Sequence, residues 1–219
     1  MFSVKAFVCN AFEENTYVVS SGQVCLIIDP GCSSKDECGA IEQYIIENNL
    51  KPVSLVNTHC HIDHVLGNSW VKERFKVPFS IHEKELPVLQ AVKVYAPNYG
   101  YPTYQEAAPD TFLKEGETVS FGDTSFQILF LPGHAPGHIG LYFKDEKKLF
   151  AGDVLFRESI GRTDLPGGDF DTLINSIQST VFTLPEEVEV FPGHGPSTTV
   201  GYEKVNNPFC GSSGKMAWS

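Results

Sequence analysis

Apolar runs with the character of β-strands alternate along the chain with stretches of helical spacing. Residues 2–8 and 16–28 are rich in β-formers, and the second run closes on Val24, Cys25, Leu26, Ile27 and Ile28 before an Asp29-Pro30-Gly31 turn. Residues 35–48 place Ile41, Tyr44, Ile45 and Ile46 on a rough apolar stripe, which predicts a helix. A short apolar run at 53–57, bounded by Pro52 and a polar loop, predicts the next strand. In the second half, residues 119–122 and 124–131 predict a hairpin closed by Gly122 and Asp123. Residues 138–143 and 148–152 predict two more strands, and a helix from about Phe170 to Val181 leads into a strand at 188–191. Each half mixes strands and helices, which suggests an internally symmetric sandwich although no literal repeat is present.

Between the halves, residues 93–112 are rich in Tyr and Pro and lack periodicity, so they predict a long loop. Two readings are open for it, a lid over a binding site or an aromatic segment that packs down on the core.

The same pattern recurs at four strand ends: an apolar run, a tight turn, then a side chain able to ligate a metal. Residues 53–57 lead into Thr58-His59-Cys60-His61-Ile62-Asp63-His64, residues 126–131 into His134, residues 147–150 into Asp153, and residues 188–191 into His194. Strand ends of one α/β core converge on one edge, where such sites are commonly assembled. Five of the seven histidines stand in these turns. His59 and His61, two apart in an extended segment, point the same way, while Asp63 and His64 fall where the loop enters a helix expected over about 64–75. That spacing can serve two adjacent ions. Imidazole and carboxylate donors suit zinc, iron or manganese, and Asp153 is able to bridge. Two divalent cations balanced by Asp63, Asp153 and a hydroxide leave about +1, enough to attract an acyl oxygen. His82, which opens an expected helix, reads as a hydrogen-bonded core or surface residue. His138 reads as either a partner standing behind the ligands or a turn residue, and Cys60 as a buried small residue facing away from His59 and His61.

Composition narrows the partners. The 219 residues carry a formal charge of -11, which opposes binding to a phosphate backbone. With 42% hydrophobic and 20% charged residues the chain is long enough to bury its own core, so one domain over 1–209 is expected, followed by a flexible tail at 210–219. Six cysteines without a CxxC pair predict reduced thiols rather than a disulfide framework. No export signal or membrane-length apolar run stands out, so a cytoplasmic protein with no membrane partner is expected, its oligomeric state unread.

The motif His59-Cys60-His61-Ile62-Asp63-His64, followed at distance by His134, Asp153 and His194, resembles the signature of the metallo-β-lactamase superfamily over nearly the whole chain. The resemblance implies an α/β fold, a four-layer αββα sandwich with the metals at one edge. It implies that His59, His61 and His134 hold one ion, that Asp63, His64 and His194 hold the other, and that Asp153 bridges them. Zinc is the expected pair, with iron or manganese also suited. Asp29 resembles an aspartate that supports the metal loop from behind the ligands, where His138 is also a candidate. Residues 131–143, 151–156, 159–169 and 190–204, with the closing Asn206-Asn207-Pro208-Phe209, are similar to the short bacterial proteins of the glyoxalase II branch, the hydroxyacylglutathione hydrolases. That implies hydrolysis of a small-molecule thioester by a metal-bridging hydroxide, with Asp63 orienting it and accepting its proton. Arg162 falls where the longer enzymes place a basic residue for the thiol half of the substrate; it also reads as an ion-pair partner of Asp164 or Asp169. Those longer enzymes complete a glutathione site with a carboxyl-terminal helical domain; no counterpart of it is expected after Asn206-Asn207-Pro208-Phe209, which leaves glutathione recognition open. Two alternatives remain open on the same residues: a lactonase or other acyl hydrolase, and a persulfide dioxygenase with one iron on two histidines and an aspartate.

Overall fold

The computed structural model describes residues 1–212. They group into two units, Met1–Lys114 with Val119–Ser125, and Glu115–Thr118 with the chain from Phe126 onward.

The first unit is organised on a six-stranded sheet whose spatial order is the chain order: β1 (Phe2–Cys9), β2 (Glu14–Ser21), β3 (Val24–Ile28), β4 (Lys51–Val56), β5 (Phe79–His82) and β6 (Thr111–Leu113). The first three strands pair antiparallel, and β3 to β6 pair in parallel. The parallel pairs need crossovers, supplied by α1 (Lys35–Glu47), by α2 (Ile62–Val65) with α3 (Asn68–Phe75), and by α4 (Leu86–Tyr95). Strand alternation sends Ile27, Leu55, Phe79 and Ile81 into a core with Ile41 and Ile45 of α1, Val71 of α3, and Leu89 and Val92 of α4. Each such side chain contributes about 1.5–3 kcal/mol on burial. Ser34 caps α1 in a capping box with Glu37, so the sequence Ser33-Ser34-Lys35-Asp36-Glu37 sets where the helix begins.

Two expectations are corrected here. The helix expected over 64–75 is two helices, broken at Leu66 and Gly67. The Gly67 amide donates to the Pro30 carbonyl at 2.7 Å, and a Cβ on Gly67 would meet Cys32 Sγ at 2.4 Å, so the chain leaves its helical path to meet the 30–32 loop. The loop expected over 93–112 begins as the last turn of α4, continues as a 3-10 turn at Ala96–Tyr99 and ends in β6. Leu89, Val92 and Ala96 are all fully buried at helical spacing, a signal hidden by Pro97 and the surrounding tyrosines. Tyr95, Tyr101 and Tyr104 pack against the core.

The second sheet runs β14-β13-β10-β9-β8-β7, from β7 (Thr118–Phe121), β8 (Thr124–Phe130), β9 (Ile139–Phe143), β10 (Lys148–Gly152), β13 (Glu189–Pro192) and β14 (Thr198–Thr199). Strands β11 (Leu155–Phe156) and β12 (Ser159–Ile160) form a separate small hairpin. Helix α5 (Phe170–Ser179) buries Leu173 and Ile177 against Leu129, Leu131, Leu149 and Val190. Phe126, Phe143, Phe150 and Phe191 lie ring to ring across four neighbouring strands, with centroids 5.2, 5.6 and 4.9 Å apart. After α6 (Val200–Asn206), Cys210 is buried, and the amides of Gly211 and Ser212 donate to the carbonyls of Asn207 and Lys204, so the first residues of the expected 210–219 tail close the helix. The rest of that tail lies outside the described residues. No described helix is long and apolar enough to cross a membrane.

Candidate metal centre

In the first unit, β4 ends at Val56 and releases the chain through Asn57 and Thr58 into His59, Cys60 and His61, with His61 as N-cap of α2. His59 and His64 are fully buried and Asp63 is largely so. The His59 ring stands 4.8 Å from that of His61 and 4.1 Å from that of His64, centroid to centroid. His64 Nε2 lies 3.6 Å from Asp63 Oδ2.

Asp29 holds this loop from beneath. It follows β3 at φ 48°, a left-handed conformation that Asp tolerates better than most residues. Its carboxylate accepts the Thr58 amide at 2.7 Å, the Thr58 hydroxyl at 2.6 Å and the Asn57 side-chain amide at 3.2 Å, and Oδ2 stands 3.2 Å from His64 Nδ1. Because the Thr58 hydroxyl donates to Asp29, its oxygen is free to accept from His59 Nδ1 at 3.1 Å. His59 Nδ1 is thereby held from the protein side and His64 Nδ1 faces the Asp29 carboxylate, which makes each Nε2 the candidate ligating atom.

Four further residues support the same loop and carry no signal in the sequence pattern. Glu85, fully buried, accepts the Cys60 amide at 2.8 Å. Asn57 donates to the His64 carbonyl at 2.8 Å and accepts from Asn68 at 2.7 Å. Asn10 donates to the carbonyls of Asp63 and Gly31 at 2.9 and 3.0 Å. Glu14, fully buried on β2, reaches 3.9 Å from His64 Nδ1, and burial pushes its carboxyl well above the usual range. Buried polar residues inside strands and irregular loops have no periodicity to betray them. Cys60 is fully buried, as its alternation predicts, and burial and then Glu85 push its thiol up. His82 is buried, and its Nδ1 accepts the Lys84 amide at 3.3 Å as a cap on the turn that follows.

In the second unit, His134 follows β8 in the Pro132-Gly133 turn. Gly133 adopts φ 129° with α5 so close that a Cβ would stand 2.3 Å from the Leu173 nitrogen. His134 Nδ1 donates to the Arg162 carbonyl at 2.7 Å, which again turns Nε2 outward. Asp153 follows β10, and its Oδ2 lies 3.6 Å from His134 Nε2 and 3.5 Å from His194 Nε2. His138, fully buried, accepts the Asp153 amide on Nε2 at 3.0 Å, so it stands behind a ligand candidate rather than merely in a turn. A Cβ on Gly161 would fall 1.9 Å from the Asp153 carbonyl and 3.0 Å from His134 Nδ1, so the Gly161-Arg162 segment closes on the centre only as glycine. Arg162 makes a two-pronged ion pair with Asp164, both N···O distances 2.7 Å, which holds the Asp164 carboxyl down to about 2. Of its two ion-pair readings the structure selects Asp164.

The donor set fits divalent metal. The imidazole–carboxylate gaps of 3.5–3.6 Å are longer than an N–H···O hydrogen bond. Two ligands held ~2.1 Å from one ion at a tetrahedral angle stand about 3.4 Å apart, close to what each gap measures.

The model of the metallo-β-lactamase superfamily matches residues 10–194, and the chain belongs to that superfamily, whose relatives make it a metal-dependent hydrolase by class. Among curated proteins it is similar to the hydroxyacylglutathione hydrolase GloC of Haemophilus influenzae, 38% identical over 92% of this chain and 95% of that one. Among solved structures it is similar to BLEG-1, a B3 metallo-β-lactamase, with TM-score 0.87 and 34% identity over 95% of this chain and 99% of that one. It is also similar to TTHA1623 in a di-iron-bound form, with TM-score 0.84 and 36% identity over 94% and 99% of the two chains. These likenesses show the expected fold class, an α/β sandwich of the metallo-β-lactamase type.

Proposed function

We propose that the two half-sites together hold a pair of divalent ions and that the protein hydrolyses a small thioester such as a hydroxyacylglutathione. In this reading His59, His61 and His134 hold one ion, Asp63, His64 and His194 the other, and Asp153 is shared. The observation that carries it is the position of Asp153 Oδ2, nearly equidistant from the Nε2 atoms of His134 and His194. A carboxylate oxygen so placed between two imidazoles suits a bridge. When bound, the ions supply Lewis acidity, lowering the pKa of water towards neutrality and polarising an acyl carbonyl. The chain supplies the rest. Asp29 and Thr58 fix the orientation of His59, the Arg162 carbonyl fixes that of His134, and the Asp63 carboxylate orients the attacking water and accepts its proton at Oδ. Arg162 is offered to the thiol-bearing half of the substrate, since its pair with Asp164 is exposed and therefore weak.

The thioester reading is supported by the 38% identity to GloC. The likeness to BLEG-1 favours a second reading, in which the same centre opens a β-lactam. Zinc is our expected metal, and the di-iron form of TTHA1623 makes iron the direct competitor. Metal analysis coupled to a panel of thioesters including S-lactoylglutathione, lactones and β-lactams tests all of these. We expect two metal equivalents per chain and highest kcat/KM on a thioester. One iron with oxygen uptake would overturn the hydrolytic reading in favour of a persulfide dioxygenase, and preference for a β-lactam would overturn the thioester.

A further inference from the structure

Helix α3 and the segment that leads into β6 stand apart along a cleft of about 220 Å³. On the helix side Leu66, Trp70 and Glu73 recur at steps of four and three, which sets them on one face. Both walls are held without a ligand. Trp70 packs against Phe75 at 78°, ring centroids 5.6 Å apart. On the other wall the Tyr101 amide donates to the Ala96 carbonyl at 3.0 Å and the Tyr104 amide to the Tyr101 carbonyl at 3.2 Å. Lys72 of α3 fastens the far end of that segment, donating to the Ala108 carbonyl and the Asp110 carboxylate, both at 2.7 Å. The opening is thus built into the fold, and a ligand entering it has little ordering cost to meet.

The lining is aromatic and acidic. Trp70, Tyr101 and Tyr104 meet there. The Tyr101 hydroxyl accepts the Ala11 amide at 3.5 Å and the Tyr104 hydroxyl is buried, so what both tyrosines present to the cleft is ring carbon. Glu73 is the one charged residue among the described residues that line it. The cations beside Glu73 in sequence are committed elsewhere, Lys72 to Asp110 and Arg74 to Glu42, and among the described residues no cation pairs with Glu73. A carboxylate without a counter-ion, set beside three aromatic rings, matches an organic cation, because the rings attract its charge and cover its apolar body. An anion would meet Glu73 and no positive charge. A bare metal ion would find a single carboxylate where it needs several donors.

We propose that the cleft between α3 and residues 101–105 binds a small organic cation, an alkylated ammonium whose methyl groups rest on Trp70, Tyr101 and Tyr104 and whose charge faces Glu73. None of the candidate metal ligands lines the cleft, so this site is additional to the hydrolytic centre.

The test titrates the full-length, metal-loaded protein with choline, with its uncharged isostere 3,3-dimethylbutanol and with the anion 3,3-dimethylbutanoate, at constant ionic strength. Trp218→Phe is carried throughout, so that of the two tryptophans only Trp70 reports by fluorescence, and calorimetry follows the same titrations. Choline is expected to saturate both signals and to bind at least about tenfold more tightly than either other probe. Glu73→Gln weakens choline about tenfold and leaves the uncharged isostere unchanged. Thr103→Lys, which brings an ammonium of the chain's own to the cleft, abolishes choline binding. Both substitutions fall at exposed positions, so Tm and metal content stay as in the parent. Equal affinity for choline and its isostere, preference for the anion, choline binding that survives Glu73→Gln at full strength, or no saturation overturns the proposal. Since turnover is not the readout, failure here is distinct from failure of the metal-centre reading.

Discussion

Replacing Asp29 with Asn tests whether the buried support beneath the metal loop sets the state of its ligands. The substitution is close to isosteric, and Asn tolerates the left-handed backbone found at φ 48°. An amide nitrogen in place of Oδ2 donates to the Thr58 hydroxyl, which now makes its 2.6 Å contact as an acceptor and turns its own proton towards His59 Nδ1. His59 is then forced to carry its proton on Nε2, the atom meant for the ion. Loss of an outer partner of this type weakens metal binding 10–100-fold, about 1.4–2.8 kcal/mol. The metal-free fold loses only the difference between a charged and a neutral acceptor, on the order of 1 kcal/mol. Competition against a chromophoric chelator reads the first quantity and thermal unfolding of the metal-free protein reads the second. Asp29→Ala serves as contrast: it strands the buried Thr58 donors and adds left-handed strain, about 3–8 kcal/mol of a typical 5–15 kcal/mol total. If Asp29→Asn binds metal as tightly as the parent, the tautomer argument is wrong.

Full chelation lowers Tm, because metal present at about 100 times Kd adds about 2.7 kcal/mol to the folded state; calorimetry showing no shift would contradict the centre. Asp63→Asn retains metal but loses at least about 100-fold in kcat, as expected for a proton acceptor, and near-normal turnover in steady-state assays rejects that role. Gly161→Ala drives a methyl into the Asp153 carbonyl and costs about 1–3 kcal/mol together with metal content, measured by denaturant melts and metal analysis. Arg162→Ala raises KM for a charged thioester with little change in Tm. Since Asp164 is held down to about 2, its side of the pair fades only as pH falls towards that value, so the KM effect stays flat from about pH 5 to 9. A KM equal to the parent's removes Arg162 from substrate binding.

The ligand candidates were legible because each follows an apolar strand and a tight turn, and strand ends converge; nothing in that argument depends on packing detail. The first sheet was legible for the same reason, with β3, α1 and β4 falling where the hydrophobic pattern places them. The break between α2 and α3 was not, since it depends on Gly67 meeting Pro30 and Cys32, residues more than 30 positions earlier. Helix α4 was hidden by Pro97 and three tyrosines close behind it, although Leu89, Val92 and Ala96 keep helical spacing. Glu14, Glu85 and Asn10 were invisible because a buried polar residue shows its purpose only through its partners. Asp29 was legible through the family resemblance and His138 as one of two readings of its turn, and their hydrogen bonds supply the physical reason for both.

The candidate ligands of the first unit are tied down by atoms that solvent scarcely reaches, Asp29, Asn57 and Glu85, whereas Phe12 and Tyr99 stand exposed on the outer segments at 36% and 56%. The support beneath the candidate ligands and the exposed aromatic segments are therefore separate parts of the polypeptide. Outer segments can be exchanged, lengthened or recoloured with new side chains while the ion cradle keeps its bonds. A chain like this one can thus share its framework with proteins named as a hydroxyacylglutathione hydrolase and as a B3 metallo-β-lactamase.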